Sequence, residues 1–255
     1  MRLQGKVAFI TGAASGMGRA CSIRFAKEGA KIIACDINDE GLAQTEKQVK
    51  EAGGEILALH LDVTKEEQWQ SVAKKAAERF GKINILFNSA GILISKPLVE
   101  TTLEEWNRLM AINVTGTFLG MKHIIPLIEK SSSSKEFGSV INVSSDAGLM
   151  GYVDYVLYGA SKGAVLMMTK DVACEYAKRN VRVNCINPSF TDTNMVRELT
   201  EGEDPTKVAG YVTPMGRVVQ VDDIANLVVF LASDESACIN GLPVSIDGGG
   251  VNFME

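Results

Sequence analysis

Short apolar runs alternate with longer helical patterns along this whole chain, and that alternation restricts the fold more than any other feature. Residues 7–11, 31–35, 56–61, 83–88, 139–144, 181–186 and 242–246 read as strands, each a brief apolar run bounded by turn or polar residues. Residues 19–29, 40–52, 66–80, 103–129, the segment carrying Tyr158 and Lys162, and 222–232 read as helices, several stopped by glycine. Parallel strands of this kind need cover on both faces. Repeated βα units therefore predict an α/β chain: one doubly wound parallel sheet with helices on both faces. No linker or shift in composition divides it, so one domain is expected over residues 1–255. The serine-rich run 131–136 reads as a surface loop.

Composition excludes several functions. The hydrophobic share of 46% and charged share of 22% support a sizeable core. A net charge of −5, with no strongly basic stretch, argues against a nucleic-acid surface or a polybasic membrane patch. No apolar run approaches the ~20 residues of a membrane span, and the apolar run near the N-terminus is too short for a signal peptide. The five cysteines have wide spacings and no CxxC, as in a reduced, cytoplasmic protein. His60 and His123 stand far apart, and no metal site is expected.

The first strand runs into TGAASGMG, which places Gly12, Gly16 and Gly18 at the start of the first helix. Such a turn lets the backbone approach a pyrophosphate, which then rests on the helix N-terminus. Ser15 and Met17 lie within the same turn. The second strand ends at Asp36, followed by Ile37. A carboxylate there accepts both ribose hydroxyls of an adenosine and repels a 2′-phosphate. No arginine follows Asp36 directly and none lies inside the turn, so NAD is expected rather than NADP. Asp62 and Val63, after the third strand, are candidates to touch the adenine; Asp62 reads equally well as an acid opening the next helix.

Ser145 ends the fifth apolar run, and Tyr158 and Lys162 stand four residues apart in a helical pattern, on one face and one turn from each other. A free phenol titrates near pH ~10. A neighbouring ammonium favours the phenolate, so a tuned tyrosine can exchange a proton with an alcohol or ketone while a serine hydroxyl holds the same oxygen. The hydride itself needs a cofactor.

Taken together, these residues resemble the short-chain dehydrogenase/reductase family over nearly the whole chain, from about Gly5 to Gly250. TGAASGMG is similar to the family's cofactor turn. Asn88-Ser89-Ala90-Gly91 stands where the family has Asn-Asn-Ala-Gly, and Ser145 with Tyr-x-x-x-Lys falls on its catalytic pattern. Asn113 occupies the place of its catalytic asparagine. Asn187-Pro188, with Thr191 and Thr193, resembles the segment at the nicotinamide end, and Asp247-Gly248-Gly249 its final-strand motif. Ser89 and Ser189 depart from the pattern, the second replacing a glycine.

The resemblance implies a Rossmann fold with a cofactor half at about 1–100 and a catalytic and substrate half at about 101–255. It implies catalytic roles for Asn113, Ser145, Tyr158 and Lys162. Tyr158 is the acid–base, Lys162 lowers its pKa and holds the nicotinamide ribose, and Asn113 supports a water leading to Lys162. Cofactor contacts are expected from Gly12, Ser15, Gly16, Met17, Gly18, Asp36, Ile37, Asp62, Val63, Asn88, Ala90, Gly91, Tyr158, Lys162, Pro188, Thr191 and Thr193. Substrate contacts are expected from Ser145, Leu149, Val153 and Tyr155, under a lid at about 190–214. A homotetramer is implied by resemblance alone. The function expected is NAD-dependent hydride transfer between a nicotinamide and a small-molecule secondary alcohol or ketone. The alternatives are an NADPH-dependent 3-ketoacyl carrier-protein reductase and a non-catalytic NAD-binding scaffold.

Overall fold

The computed structural model describes residues 1–134, 136–199 and 213–252. Its seven strands are β1 (Val7–Thr11), β2 (Lys31–Asp36), β3 (Ile56–His60), β4 (Ile85–Asn88), β5 (Gly138–Val143), β6 (Val181–Pro188) and β7 (Pro243–Ile246). They form one sheet in the order β3-β2-β1-β4-β5-β6-β7, with every pair parallel. The order reverses between β1 and β4. In a doubly wound sheet the crevice beyond the strand ends at that reversal is where ligands bind.

Alternate residues of β1 point to opposite faces and are apolar on both. Ala8 and Ile10 join a core with Phe25, Val228 and Val229, while Val7 and Phe9 join one with Trp69, Ile124 and Ile128. Helices α1 (Gly16–Lys27), α2 (Asp39–Glu51) and, late in the chain, α8 (Val221–Ala232) cover the first face. The second is covered by α3 (Glu66–Phe80), α5 (Gly116–Ser131) and α6 (Val156–Tyr176). Two short helices, α4 (Leu103–Met110) and α7 (Asn194–Leu199), complete the set among the described residues.

The expected helix over 103–129 is one continuous rod with an interruption. Between α4 and α5 the backbone widens into a π-helical turn at Ala111–Thr115, and Asn113 sits in it. Turns of this kind concentrate at functional sites. Contrary to the sequence expectation, the rod, Leu103–Ser131, is long and apolar enough to cross a membrane, but half of its most apolar stretch is buried in the protein. Leu119, Ile124, Ile125 and Ile128 supply that buried face. Of the expected lid at 190–214, residues 200–212 lie outside the described residues; 190–199 contain α7, and 213–214 precede α8.

Candidate active site

The glycine turn is built by close approach. A Cβ on Gly18 would lie 2.1 Å from the carbonyl oxygen of Gly12, and one on Gly12 would lie 2.8 Å from the amide of Ala90. Gly12 and Gly16 also hold φ of 65° and 49°, a region that only glycine enters freely. Thr11 ties this turn to the β4 end by accepting hydrogen bonds from the amides of Ser89 and Ala90, both at 3.1 Å. The first intrahelical bond of α1 runs from Arg19 N to Ser15 O. The amides of Gly16, Met17 and Gly18 therefore have no helical acceptor, and no acid stands in this first turn.

A cavity of about 300 Å³ opens over the turn. Gly12, Ser15, Gly16, Met17, Asp36, Ile37, Asp62, Val63, Ala90, Gly91 and Thr193 line it, as the sequence anticipates. Ile112 and Met195 line it as well, and no local pattern announces either: one comes from the π turn and the other from α7. Gly18 lies behind the cavity under Gly12. Asn88 is also behind it, donating to Asn142 Oδ1 at 2.9 Å. The Asp36 carboxylate accepts from Ala14 N at 2.9 Å and from Asn38 N at 3.0 Å, which fixes its orientation at the cavity wall. Asp62 lines the cavity while its carboxylate accepts from Thr64 N and Thr64 Oγ1.

A second, smaller cavity adjoins the first across Met17, Thr193 and Met195, which line both. Ser145, Tyr155, Tyr158, Pro188 and Thr191 line it. Leu149 and Val153 do not: Leu149 is 40% and Val153 86% exposed. Their places are taken by Tyr152, Leu93 and Phe190. Ser189 fits its loop without strain, since the described non-glycine residues with positive φ are Asp154 and Asn180.

Ser145 and Tyr158 meet at this cavity, and Lys162 lies behind Tyr158, lining neither cavity. Tyr158 keeps a partly open surface, while Ser145 and Lys162 are buried. Lys162 Nζ lies 5.4 Å from the centre of the Tyr158 ring and donates to Val143 O at 2.9 Å. Burial brings Lys162 down to about 8. Burial also pushes the Tyr158 phenol above its ordinary value, with Ser145 pulling the other way and the Asp146 charge reinforcing the rise. The phenol is thus raised, opposite to the expectation that Lys162 depresses it. Desolvation of the buried phenol is the largest influence on it, and Lys162 is not among the groups that shift it.

Asn113 does not point into either cavity. Its Oδ1 accepts from Ile92 N at 2.9 Å, and its Nδ2 donates to Ile92 O at 2.9 Å and to Ser161 Oγ at 3.1 Å. Its side chain fastens the segment after β4 to α6.

The family model described as enoyl-(acyl carrier protein) reductase matches residues 12–250. The 2,5-dichloro-2,5-cyclohexadiene-1,4-diol dehydrogenase LinX of Sphingobium indicum is 41% identical over 97% of this chain and 97% of its own. The 3-oxoacyl-[acyl-carrier-protein] reductase FabG of Thermotoga maritima is 39% identical over 98% of this chain and 99% of its own. Among solved structures, levodione reductase superposes with a TM-score of 0.92 at 33% identity, covering 99% of this chain and 100% of that one. The chain belongs to the short-chain dehydrogenase/reductase family, whose members bind nicotinamide cofactors, and it has that family's single-domain Rossmann fold.

Proposed function

We propose that this oxidoreductase is an NAD-dependent dehydrogenase of small secondary alcohols that also reduces the matching ketones. The observation that carries the reading is Asp36. Its carboxylate stands at the wall of the larger cavity, where an adenosine ribose would offer two hydroxyl donors and a 2′-phosphate would be repelled. Arg19 does not offset it: its guanidinium is bound to Ala14 O, to Gly41 O at 3.2 Å and to Thr45 Oγ1 at 3.0 Å. The free amides of the first turn of α1 fit a pyrophosphate, and its lack of acids removes a competing charge.

Bound NAD would supply the hydride acceptor. Tyr158 takes the proton of the substrate hydroxyl as the carbon loses its hydride, and returns it in the reverse direction. Ser145 Oγ holds the same oxygen. Lys162, anchored by Val143 O, keeps further donor capacity for the nicotinamide ribose and places its charge beside the phenol ring. Met17, Thr193 and Met195, shared by both cavities, mark the seam where substrate carbon and nicotinamide would meet.

The likeness to FabG favours a second reading, NADPH-dependent reduction of a 3-oxoacyl group on a carrier protein. Asp36 and the net charge of −5 weigh against it, because a phosphorylated ribose and an acidic carrier both call for cations. Exposed apolar side chains on α4, α5 and α6, Leu103, Trp106, Phe118, Val156 and Met167, support self-association, which the family resemblance extends to a homotetramer. The composition and the cysteine pattern support a cytoplasmic setting.

The decisive experiment is a side-by-side binding titration with NADH and NADPH, followed by a screen of cyclic and acyclic secondary alcohols with NAD. Preference for NADH, reversed in Asp36→Arg, and formation of NADH from alcohols are the expected results. Equal or tighter NADPH binding by the unaltered protein would overturn the assignment.

A further inference from the structure

Next to the catalytic serine stands a carboxylate that the chemistry above does not use. Asp146 is 6% exposed and lines the smaller cavity. Its Oδ1 accepts from Ser145 Oγ at 2.8 Å and from Ala147 N at 2.7 Å, and its Oδ2 accepts from Tyr152 Oη at 2.9 Å. It has no ion-pair partner among the described residues. A buried carboxylate is costly unless donors surround it. Three do, and the lone pairs left on Oδ2 and on the Tyr152 oxygen, which has donated its proton, can only accept.

We propose that Asp146 and Tyr152 form a second substrate-recognition point, which takes a hydroxyl on the carbon next to the reacting one, so that vicinal diols and hydroxyketones are the preferred substrates. The inference rests on the alcohol-dehydrogenase reading. Ser145 Oγ lies 2.8 Å from Asp146 Oδ1, so a ligand whose reacting oxygen takes over the single Ser145 proton brings its neighbouring substituent to the carboxylate. Every free position at the pair is an acceptor. A ligand hydroxyl can donate to it, whereas an ether or carbonyl oxygen cannot and would face a negative charge. The edge-on packing of Tyr152 against Phe190, with ring centres 6.4 Å apart, holds the phenol in place.

The test uses three ligands of one shape: cyclopentanol, cyclopentane-1,2-diol and 2-methoxycyclopentanol. Calorimetry measures their binding to the intact protein with and without NADH, and turnover with NAD is measured separately. The diol is expected to bind at least about tenfold more tightly than either of the others, as for a hydrogen bond to a charged acceptor. The diol-to-ether affinity ratio should fall toward one in Tyr152→Phe and in Asp146→Asn. Equal affinities in the unaltered protein, no measurable diol binding, or an unchanged ratio in both variants would overturn the proposal. Tighter binding of 2-aminocyclopentanol than of the diol would also overturn it, in favour of an ammonium site. Absence of turnover with all alcohols would sink the dehydrogenase reading, while the affinity ratio judges the recognition point independently.

Discussion

Lys162 Nζ donates to the carbonyl of Val143 at 2.9 Å while its charge rests 5.4 Å from the centre of the Tyr158 ring. The lysine is thereby fixed in a buried place where its charged form is disfavoured. Burial lowers it from 10.5 to about 8. Between those values the unfolded chain binds more protons at this residue than the native one. The stability that depends on Lys162 is therefore lowest below about pH 8 and rises with pH up to about 10.5. Urea denaturation at about pH 7.5 and pH 9.5 should show the protein gaining on the order of 2 kcal/mol relative to Lys162→Met across this interval. The comparison with the variant cancels the buried thiols, which titrate in both. A difference that does not change with pH would mean that Lys162 stays charged throughout.

Tyr158 poses the complementary question. Tyr158→Phe keeps the ring edge-on to Tyr155, whose centre is 5.9 Å away, and removes only the hydroxyl. Alcohol oxidation should fall by roughly 10²–10⁴-fold, with NADH affinity and thermal midpoint close to the unaltered values. Because burial raises the phenol, kcat/KM for oxidation by the unaltered protein should climb with pH through neutrality. Steady-state kinetics across pH check both outcomes. A variant that keeps its rate would remove Tyr158 from the acid–base role.

Gly18→Ala isolates the turn from the chemistry. The added Cβ would lie 2.1 Å from Gly12 O and 2.6 Å from Gly12 C, both backbone atoms that cannot yield. The turn must open, which separates Gly12 from Ala90 and spoils the floor of the larger cavity. Thermal denaturation should show a loss of several kcal/mol, on the order of 3, together with a large loss of NADH affinity. Gly163→Ala is the control: the nearest atom to its Cβ would be 3.9 Å away, and near-native stability is expected. Native-like NADH binding by Gly18→Ala would contradict the close approach.

The turn and the strands are legible in sequence because each rests on a local restriction. Gly12 and Gly18 admit no other residue, and Ala8-Phe9-Ile10 is apolar toward two covered faces at once. The residues that escape reading are placed by distant elements. Ile112 reaches the larger cavity because the backbone widens at Ala111–Thr115, a change that an ordinary helical pattern does not signal. Tyr152 and Phe190 line the smaller cavity from separate loops. Leu149 and Val153 look like pocket residues because they are apolar and near Ser145, yet their loop turns them toward solvent. The raised Tyr158 is equally hidden, since four-residue spacing to Lys162 reveals a shared helix face but not how deeply the phenol is buried.

Asn113 separates a structural role from a proton-relay role. Its carboxamide makes two hydrogen bonds to Ile92 and one to Ser161, all inside the protein. Asn113→Ala would leave the part-buried Ile92 amide and carbonyl without these partners, at a cost of about 1 kcal/mol. Ile92 and Gly91 line the larger cavity, so the loosened segment should also weaken NADH binding. The expected signature is a lower thermal midpoint and weaker NADH affinity together, with the pH dependence of the residual oxidation unchanged. A stable variant that binds NADH normally but shows a displaced pH profile would instead assign Asn113 to proton traffic around Lys162. The side-chain bonds favour the first outcome, because a carboxamide already held by Ile92 and Ser161 has both of its Nδ2 protons engaged within the fold.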